Sequence, residues 1–249
     1  MKLTLAESKY LKEGISIISE LVNEGKFRIN ENAMELIAMD PASVALVNFK
    51  LLSSAFSVFE INEPIEMAIN LGNLRQILKR AKPTDIVSLT LEENTNKLII
   101  EFKSKSKRTF TLPIIDLDEK EQKVPDLSFD ASIKMSSETF TEIVEDAEIV
   151  AESLCFIVNN EKFVASATGD LSDSNSDFES GDLVEIAVDE GITLKSKFSI
   201  EYLKKIVKGS KLSGTVNLKL KADYPMQADF KVVDRLLLSF ILAPRVDAN

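Results

Sequence analysis

The sequence predicts an α+β protein made of two similar domains, each with two amphipathic helices packed on antiparallel sheets. Three observations indicate this fold class. Apolar residues recur at helical spacing in two segments of the first half, and the segments around them alternate between apolar and polar residues as strands do. The same order of segments returns in the second half. A chain of 249 residues can bury a full core in one or two domains.

The first half opens with a short strand that contains Leu3 and Leu5. A helix over residues 8–22 follows, with Ser8 at its N-cap. Its apolar stripe consists of Leu11, Ile15, Ile18 and Val22. A second helix runs from Leu71 to Ala81 and ends before Pro83, which cannot continue it. Strands are predicted from residue 27 to about residue 51, and at residues 65–69, 86–91, 97–102 and 108–115.

Residues 37–47 form a stiff corner between two of these strands. The apolar alternation of residues 36–38 stops at a turn, Asp40-Pro41-Ala42-Ser43, and resumes at residues 44–47. Pro41 fixes its own φ and keeps Asp40 out of the helical region. By pattern alone, an ordinary connection between strands explains this segment as well as a specialised one does.

The second half repeats the first after 129 residues. This offset places Phe27 on Phe156, Ile29 on Val158, Met34 on Phe163, Ile69 on Phe198, Leu74 on Leu203 and Ile77 on Ile206. Few aligned residues are identical, but one constant offset across helices and strands indicates a tandem duplication. The predicted domains are residues 1–115 and 128–249. Residues 116–127 are highly charged and lack periodicity, which is typical of a surface linker.

The composition excludes several kinds of chemistry. The chain has no histidine and one cysteine, so a zinc site or a Cys–His nucleophile cannot form within one chain. We expect no cofactor and no metal, although carboxylate chemistry remains possible. No run approaches the roughly 18 apolar residues of a membrane span, and we expect no targeting signal, since the apolar stretch in residues 1–7 is too short for a signal peptide. Cys155 lies in an apolar strand and is predicted to pack in the core, which fits a reducing cytoplasm.

Basic residues collect on the outer faces of three of the four predicted helices, although the net charge is −10. These candidate DNA-binding residues are Lys9, Lys12, Arg75, Lys79, Lys204, Lys205 and Lys208. For any single helix, a solvated stabilising face is the simpler interpretation. Three equivalent basic faces in an acidic protein favour one shared surface for phosphates. Without aromatic residues between the lysines, the pattern favours sequence-independent contact with double-stranded DNA.

Four segments together resemble archaeal members of the proliferating cell nuclear antigen (PCNA) family of sliding clamps. They are residues 36–47, Leu71 to Ala81, Arg108-Thr109-Phe110 with Leu112 to Asp116, and the ending Phe240-Ile241-Leu242-Ala243-Pro244-Arg245-Val246. The resemblance implies a trimeric ring with helices lining the hole and sheets outside. Such a ring encircles duplex DNA and catalyses nothing. Its partners would be a replicative DNA polymerase, a clamp loader, a flap endonuclease and a DNA ligase, which bind through short hydrophobic peptide motifs.

The resemblance also implies a hydrophobic pocket that receives those motifs. Carried over position by position, it would use Met39, Ser43, Val44, Leu46, Pro225, Ile241, Ala243 and Pro244, completed by Leu117, Val124 and Pro125 of the linker. Anchor side chains filling such a pocket would carry most of the binding energy. The alternative is that these apolar groups are ordinary core.

A head-to-tail subunit contact is the third implication. Edge strands near residues 104–112 and 171–179 would pair between copies, with Lys107 and Arg108 facing Asp173 and Asp177. The predicted helix 137–150 is acidic, and its stripe could pair with cations of a neighbouring copy or simply face solvent. The stripe consists of Glu138, Glu142 and Asp146, and the matching cations are Arg80, Lys82 and Arg108.

Two other functions remain open at this point. One is a subunit of a heterotrimeric clamp, and the other is a duplicated α+β enzyme that uses carboxylate chemistry. The acidic runs show no spacing that demands a catalytic cluster. The expected location is the cytoplasm, in association with the nucleoid.

Overall fold

The computed structural model describes residues 1–92, 95–117, 122–181, 183–189 and 191–245. Residues 118–121 of the predicted linker and Val246 of the terminal motif lie outside them. The chain forms two compact units. The first comprises Met1–Pro41, Val47–Val124 and Val232–Leu238, and the second comprises Ala42–Leu46, Pro125–Lys231 and Ser239–Asn249. The domain limits 1–115 and 128–249 stay a prediction.

Four amphipathic helices occur at the predicted places. They are α1 (Lys9–Ile18), α2 (Leu71–Leu78), α3 (Ser137–Glu148) and α4 (Ile200–Ile206), with short 3-10 turns at Ser53–Ala55 and Val207–Lys211. The first three end earlier than predicted because the chain leaves each helix through i→i−3 hydrogen bonds. One example is Ala81 N–H to the Leu78 carbonyl at 3.0 Å. No helix in the described part of the chain is long and apolar enough to cross a membrane.

The first unit contains two groups of strands. One is an antiparallel sheet in the order β5-β1-β7-β8-β9, and the other has the order β4-β3-β2-β6. The strands are β1 (Lys2–Leu5), β2 (Glu24–Ile29), β3 (Ala33–Met39), β4 (Ala45–Leu52), β5 (Val58–Glu60), β6 (Ile65–Asn70), β7 (Ile86–Glu92), β8 (Lys97–Lys103) and β9 (Lys107–Pro113). Helices α1 and α2 lie side by side.

The second unit repeats this arrangement. Its strands have the antiparallel orders β13-β12-β11-β15 and β14-β10-β16-β17. They are β10 (Ala131–Ser136), β11 (Ser153–Val158), β12 (Lys162–Thr168), β13 (Asp173–Glu179), β14 (Val184–Val188), β15 (Leu194–Ser199), β16 (Thr215–Leu220) and β17 (Met226–Val232), followed by β18 (Leu236–Leu242). Helix α3 contacts α4, as α1 contacts α2.

The duplication is confirmed at the level of single residues. Strands β11, β12, β15, β17 and β18 each begin and end 129 residues after β2, β3, β6, β8 and β9. Equivalent core positions are filled alike: Phe27 and Phe156 are both fully buried, as are Leu74 and Leu203. The α+β class with helices on antiparallel sheets is therefore confirmed.

Cys155 does not lie in the core. It is half-buried, whereas its neighbours Leu154 and Phe156 are buried. Side chains alternate between the two faces of a strand, so Cys155 points away from the face that carries Leu154 and Phe156. The prediction treated a continuous apolar run as buried on both faces and was wrong at this position.

A tight turn before the edge strand β13 gives a test of the packing. A Cβ atom added at Gly169 would collide with the backbone carbonyl oxygen of Val150, which cannot swing away as a side chain can. We expect Gly169→Ala to lower the free energy of unfolding by about 1–3 kcal/mol. Urea unfolding at one fixed protein concentration measures this.

The matched control is Gly181→Ala in the same unit. No heavy atom lies within 4 Å of a Cβ added there. Its unfolding free energy should stay unchanged or rise by about 0.4–1 kcal/mol, since alanine restricts the unfolded chain. Equal losses in the two variants would contradict the packing argument.

Candidate nucleic-acid interface and partner pocket

The helices of the first unit expose cations that have no acidic partner among the described residues. Lys9 of α1 and Arg75 of α2 are exposed, as is Lys79 at the end of α2. None of them forms an ion pair with a described residue. Lys12 is half-buried, and its Nζ donates to the Ala81 carbonyl at 3.1 Å, which ties α1 to the turn after α2.

The matching cations of the second unit are partly neutralised. Lys204 pairs with Glu148 across α3 and α4, and Lys205 Nζ lies 3.1 Å from Glu201 Oε1 one helical turn away. Lys205 also lies over the Tyr202 ring, 4.9 Å from its centroid. Lys208 is half-buried in the 3-10 turn. Among the described residues, Lys204 and Lys205 thus have acidic partners that Lys9, Arg75 and Lys79 lack, a difference that helical spacing could not reveal.

Helix α3 carries the predicted acidic stripe on its solvent side. Glu138, Glu142 and Asp146 are exposed, and none pairs with a cation in the described part of the chain. A shallow cavity of about 470 Å³ between α3 and the segment 210–214 is lined by Glu138, Glu142 and Glu145. This face is strongly negative, in contrast to α1 and α2.

The two predicted edge strands both lie at sheet edges. Within the described residues, β9 is bordered only by β8, and β13 only by β12. Both begin later than the predicted edge segments 104–112 and 171–179, since residues 104–106 and 169–172 form turns, although β9 begins one residue before the strand predicted at 108–115. On β13, Asp173, Asp177 and Glu179 are exposed, while Lys107 on β9 pairs with Glu101 at 2.5 Å. Both edges therefore offer unpaired backbone groups to another strand.

A buried carboxylate organises the cations next to β9. Asp85 Oδ2 accepts from the Lys82 backbone N–H at 2.7 Å and from Arg108 Nη2 at 2.5 Å. Arg108 Nη1 donates to the Arg80 carbonyl at 3.1 Å, and its guanidinium lies 5.2 Å from the Phe102 ring centroid. Sequence reasoning missed Asp85. The signal was a lone acid three residues after Lys82, in a segment otherwise rich in cations.

The Asp85 pKa lies below its ordinary value. The hydrogen bond from the Lys82 backbone is the largest cause, because it stabilises the ionised carboxylate. Burial acts in the opposite direction, and the nearby Arg108 charge lowers the pKa further. The carboxylate is therefore ionised at neutral pH, and its negative charge is available to hold the guanidinium.

Three residues of the predicted pocket come together in the second unit. Val44, Ala243 and Pro244 line an open cavity of about 680 Å³, and the Ala243 N–H donates to the Val44 carbonyl at 2.9 Å. Ile200 and Tyr202, which sequence reasoning did not single out, line the same cavity. A partner side chain could therefore enter between the C-terminal segment and the start of α4.

The other predicted pocket residues are placed differently. Leu46 and Ile241 are buried in the core and offer little side-chain surface. Ser43, Val124 and Pro125 are exposed, whereas Met39, Leu117 and Pro225 are half-buried. Met39, Leu117 and Val124 belong to the first unit, and the remaining residues to the second. Ser43 has a left-handed φ of 57°, which turns the chain between β3 and β4.

Two family models cover nearly the whole chain. Residues 1–122 match the N-terminal domain of proliferating cell nuclear antigen, and residues 123–245 match its C-terminal domain. The chain belongs to the PCNA family. The division between the two PCNA domains falls within the predicted linker, in agreement with a tandem duplication.

Curated relatives of this PCNA-family chain span its full length. A DNA polymerase sliding clamp from Nanoarchaeum equitans is 32% identical over 249 residues, covering 99% of this chain and 100% of that protein. Another from Thermococcus gammatolerans is 35% identical over 242 residues, covering 96% of each. The crystal structure of PCNA from Entamoeba histolytica aligns with a TM-score of 0.91 at 21% identity, covering 98% of each chain, which shows the shared fold.

The Asp85 cluster predicts a pH-dependent contribution to stability. A carboxyl whose pKa is depressed in the folded state stabilises the protein above its unfolded pKa, and this stabilisation is lost as pH falls through the folded pKa. We therefore expect the stability difference between the native protein and Asp85→Asn to be largest near neutral pH. This difference should shrink as the pH falls below 3.8, the ordinary pKa of an aspartic acid side chain.

Urea unfolding at a series of pH values and one protein concentration measures this difference. Asp170→Asn, which removes an exposed carboxylate, is the control for the general effect of acid. A difference for Asp85→Asn that stays constant from neutral to acid pH would refute the role assigned to its charge.

Proposed function

We propose that this chain is the subunit of a DNA sliding clamp, a ring that encircles duplex DNA and tethers the replicative polymerase. The observation that carries the proposal is the cationic face of α1 and α2 on a chain of net charge −10. Full-length similarity to proteins named DNA polymerase sliding clamp supports it. The proposed DNA-binding residues are Lys9, Lys12, Arg75, Lys79, Lys204, Lys205 and Lys208.

Lysines and arginines on helix faces suit a protein that must slide along DNA. Phosphate contacts fix no sequence, because the backbone looks the same at every base pair. Their strength falls with salt, since each contact releases counterions. A closed ring cannot leave the duplex sideways, so a few weak contacts are enough to keep it there. The negative charge elsewhere on the chain reduces attachment of DNA to other surfaces.

The proposed assembly is a homotrimer joined head to tail. Edge strand β9 with Lys107 and Arg108 would pair with β13 of the next copy, which carries Asp173 and Asp177. The stripe Glu138, Glu142 and Asp146 of that next copy would face Arg80, Lys82 and Arg108 of the first copy. Opposite charges on the two edges of one chain favour identical subunits over a heterotrimer, and heterologous contacts can close a ring.

The proposed partner site is centred on Val44, Ala243 and Pro244. Short hydrophobic motifs of a polymerase, a clamp loader, a flap endonuclease and a DNA ligase would place an apolar side chain in this cavity. The pocket would also use Met39, Ser43, Leu46, Leu117, Val124, Pro125, Pro225 and Ile241. Of these, the buried Leu46 and Ile241 would act as the floor beneath the exposed positions.

A non-catalytic role and a location on the nucleoid complete the proposal. The competing class, a duplicated enzyme with carboxylate chemistry, would need clustered acids in an enclosed cavity. The acids of α3 instead line a shallow and open one. Because DNA is the proposed partner, the expected place of action is the cytoplasm, in association with the nucleoid.

Topological linkage can be tested on two forms of one DNA. Loaded onto a nicked circular duplex, the protein should remain bound after a salt wash, whereas it should run off the same duplex once linearised. Gel filtration of the protein–DNA mixture separates bound from released protein. Equal retention on both forms would rule out sliding by encirclement.

The cationic face can be tested by charge reversal. Arg75→Glu with Lys79→Glu should weaken DNA binding and reduce the slope of log K against log salt by about 2, one for each lost phosphate contact. Lys162→Glu with Lys231→Glu makes the same charge change at two exposed strand lysines. If both pairs of substitutions change the slope equally, net charge rather than the helix face governs binding.

The partner pocket can be tested at Val44, an apolar residue that lines the cavity. Val44→Glu would place a charge in the cavity and should weaken binding of a peptide with a hydrophobic motif by at least about tenfold, or about 1.4 kcal/mol. Isothermal titration calorimetry measures the affinity. The control is Val233→Glu, because Val233 is 73% exposed and belongs to the first unit. An unchanged affinity for Val44→Glu would place the pocket elsewhere.

A further inference from the structure

The cations proposed for the subunit contact, Arg80, Lys82 and Arg108, are connected through one buried residue, Asp85. The Asp85 side chain has no exposed surface. Its Oδ2 atom accepts hydrogen bonds from both the Lys82 backbone N–H and the Arg108 guanidinium. Arg108 reaches the Arg80 carbonyl with a second nitrogen. One carboxylate thus connects the end of α2, the turn into β7 and strand β9.

This arrangement holds the Arg108 side chain and the backbone of Arg80 and Lys82. Two hydrogen bonds, of 2.7 and 2.5 Å, meet at Asp85 Oδ2, and a third of 3.1 Å links Arg108 to Arg80. The Phe102 ring supports the guanidinium plane from one side. Arg108 stays 28% exposed and has five N–H donors in all, so part of it can still meet a ligand.

We propose that Asp85 is a positioning residue of the subunit contact, holding Arg80, Lys82 and Arg108 in the arrangement that meets the acidic stripe of a second copy. This inference rests on the proposed ring. The stripe has the required chemistry, because Glu138, Glu142 and Asp146 are exposed and follow one another at intervals of four residues on one side of α3.

Asp85 can strengthen the contact between these cations and the acidic stripe by holding the cations in place before the two copies meet. Long side chains lose rotamer freedom when they are immobilised at an interface, and each costs about 0.5–1.5 kcal/mol of binding free energy. A guanidinium already held by Asp85 has lost that freedom in the isolated subunit. Asp85 also fixes the backbone from which the side chains of Arg80 and Lys82 extend, directly at Lys82 and through Arg108 at Arg80.

The alternative is that Asp85 only stabilises the fold of its own unit. The two roles differ in what Arg108→Lys does. Lysine keeps the charge of Arg108 but has no planar fork to bridge Asp85 and the Arg80 carbonyl. If Asp85 positions the cations, Arg108→Lys weakens assembly although the charge is conserved. If only the number of cations matters, assembly is unchanged.

The experiment measures the subunit dissociation constant of the full chain by sedimentation velocity over a range of concentrations. We expect Asp85→Asn and Arg108→Lys each to raise it by about tenfold or more. Glu66→Gln is the matched control, since it removes an exposed carboxylate paired with Arg28 on β2, and it should leave the constant unchanged. Should Asp85→Asn fail to fold, Arg108→Lys carries the test alone.

A double-mutant cycle with Glu142→Gln separates positioning from general stability. If Asp85 acts through the stripe, the combined effect of Asp85→Asn and Glu142→Gln is smaller than the product of the single effects. Independent effects, or unchanged assembly of Arg108→Lys, overturn the inference while the ring proposal stands. A native protein that stays a single subunit at every concentration overturns the ring proposal itself.

Discussion

Burial of one apolar stripe of each helix against antiparallel strands is the constraint on which the rest of this structure depends. In α1, Leu11, Ile15 and Ile18 have no exposed surface, and Phe140 and Val144 occupy the matching places in α3. Once one face of a helix is committed to the core, the residues of the opposite face must meet solvent or a ligand. The fold thus determines that Lys9 and the acids of α3 are presented outward.

Periodicity along the chain was sufficient to predict the helices, most strands and the 129-residue repeat, because these follow from local spacing. Helix ends were less accurate, since the switch to i→i−3 bonding after Leu78 depends on how Ala81 packs. Cys155 was misplaced because an apolar run does not distinguish a strand buried on both faces from one buried on a single face.

The cationic and acidic helix faces were also predictable from spacing. Which of their charges form ion pairs within the chain was not. Lys204 and Glu148 lie 56 residues apart, and Asp85 and Arg108 lie 23 apart. Only the packed structure brings such pairs together. The two copies have consequently diverged in charge on one scaffold. In the described part of the chain, the first copy carries cations without ion pairs on α1 and α2, and the second carries an acidic α3 beside two lysines that have acidic partners.

The acidic edge strand β13 has a consequence for symmetry. Asp173, Asp177 and Glu179 all project from the same exposed edge. If two copies met in an isologous dimer, with β13 against β13, acid would face acid across the new ladder and repel it. This repulsion disfavours pairing of β13 with a second β13 and favours pairing with a strand of different charge. A row of three carboxylates thus disfavours two-fold pairing through β13 and favours contact of this edge with a different surface of another copy.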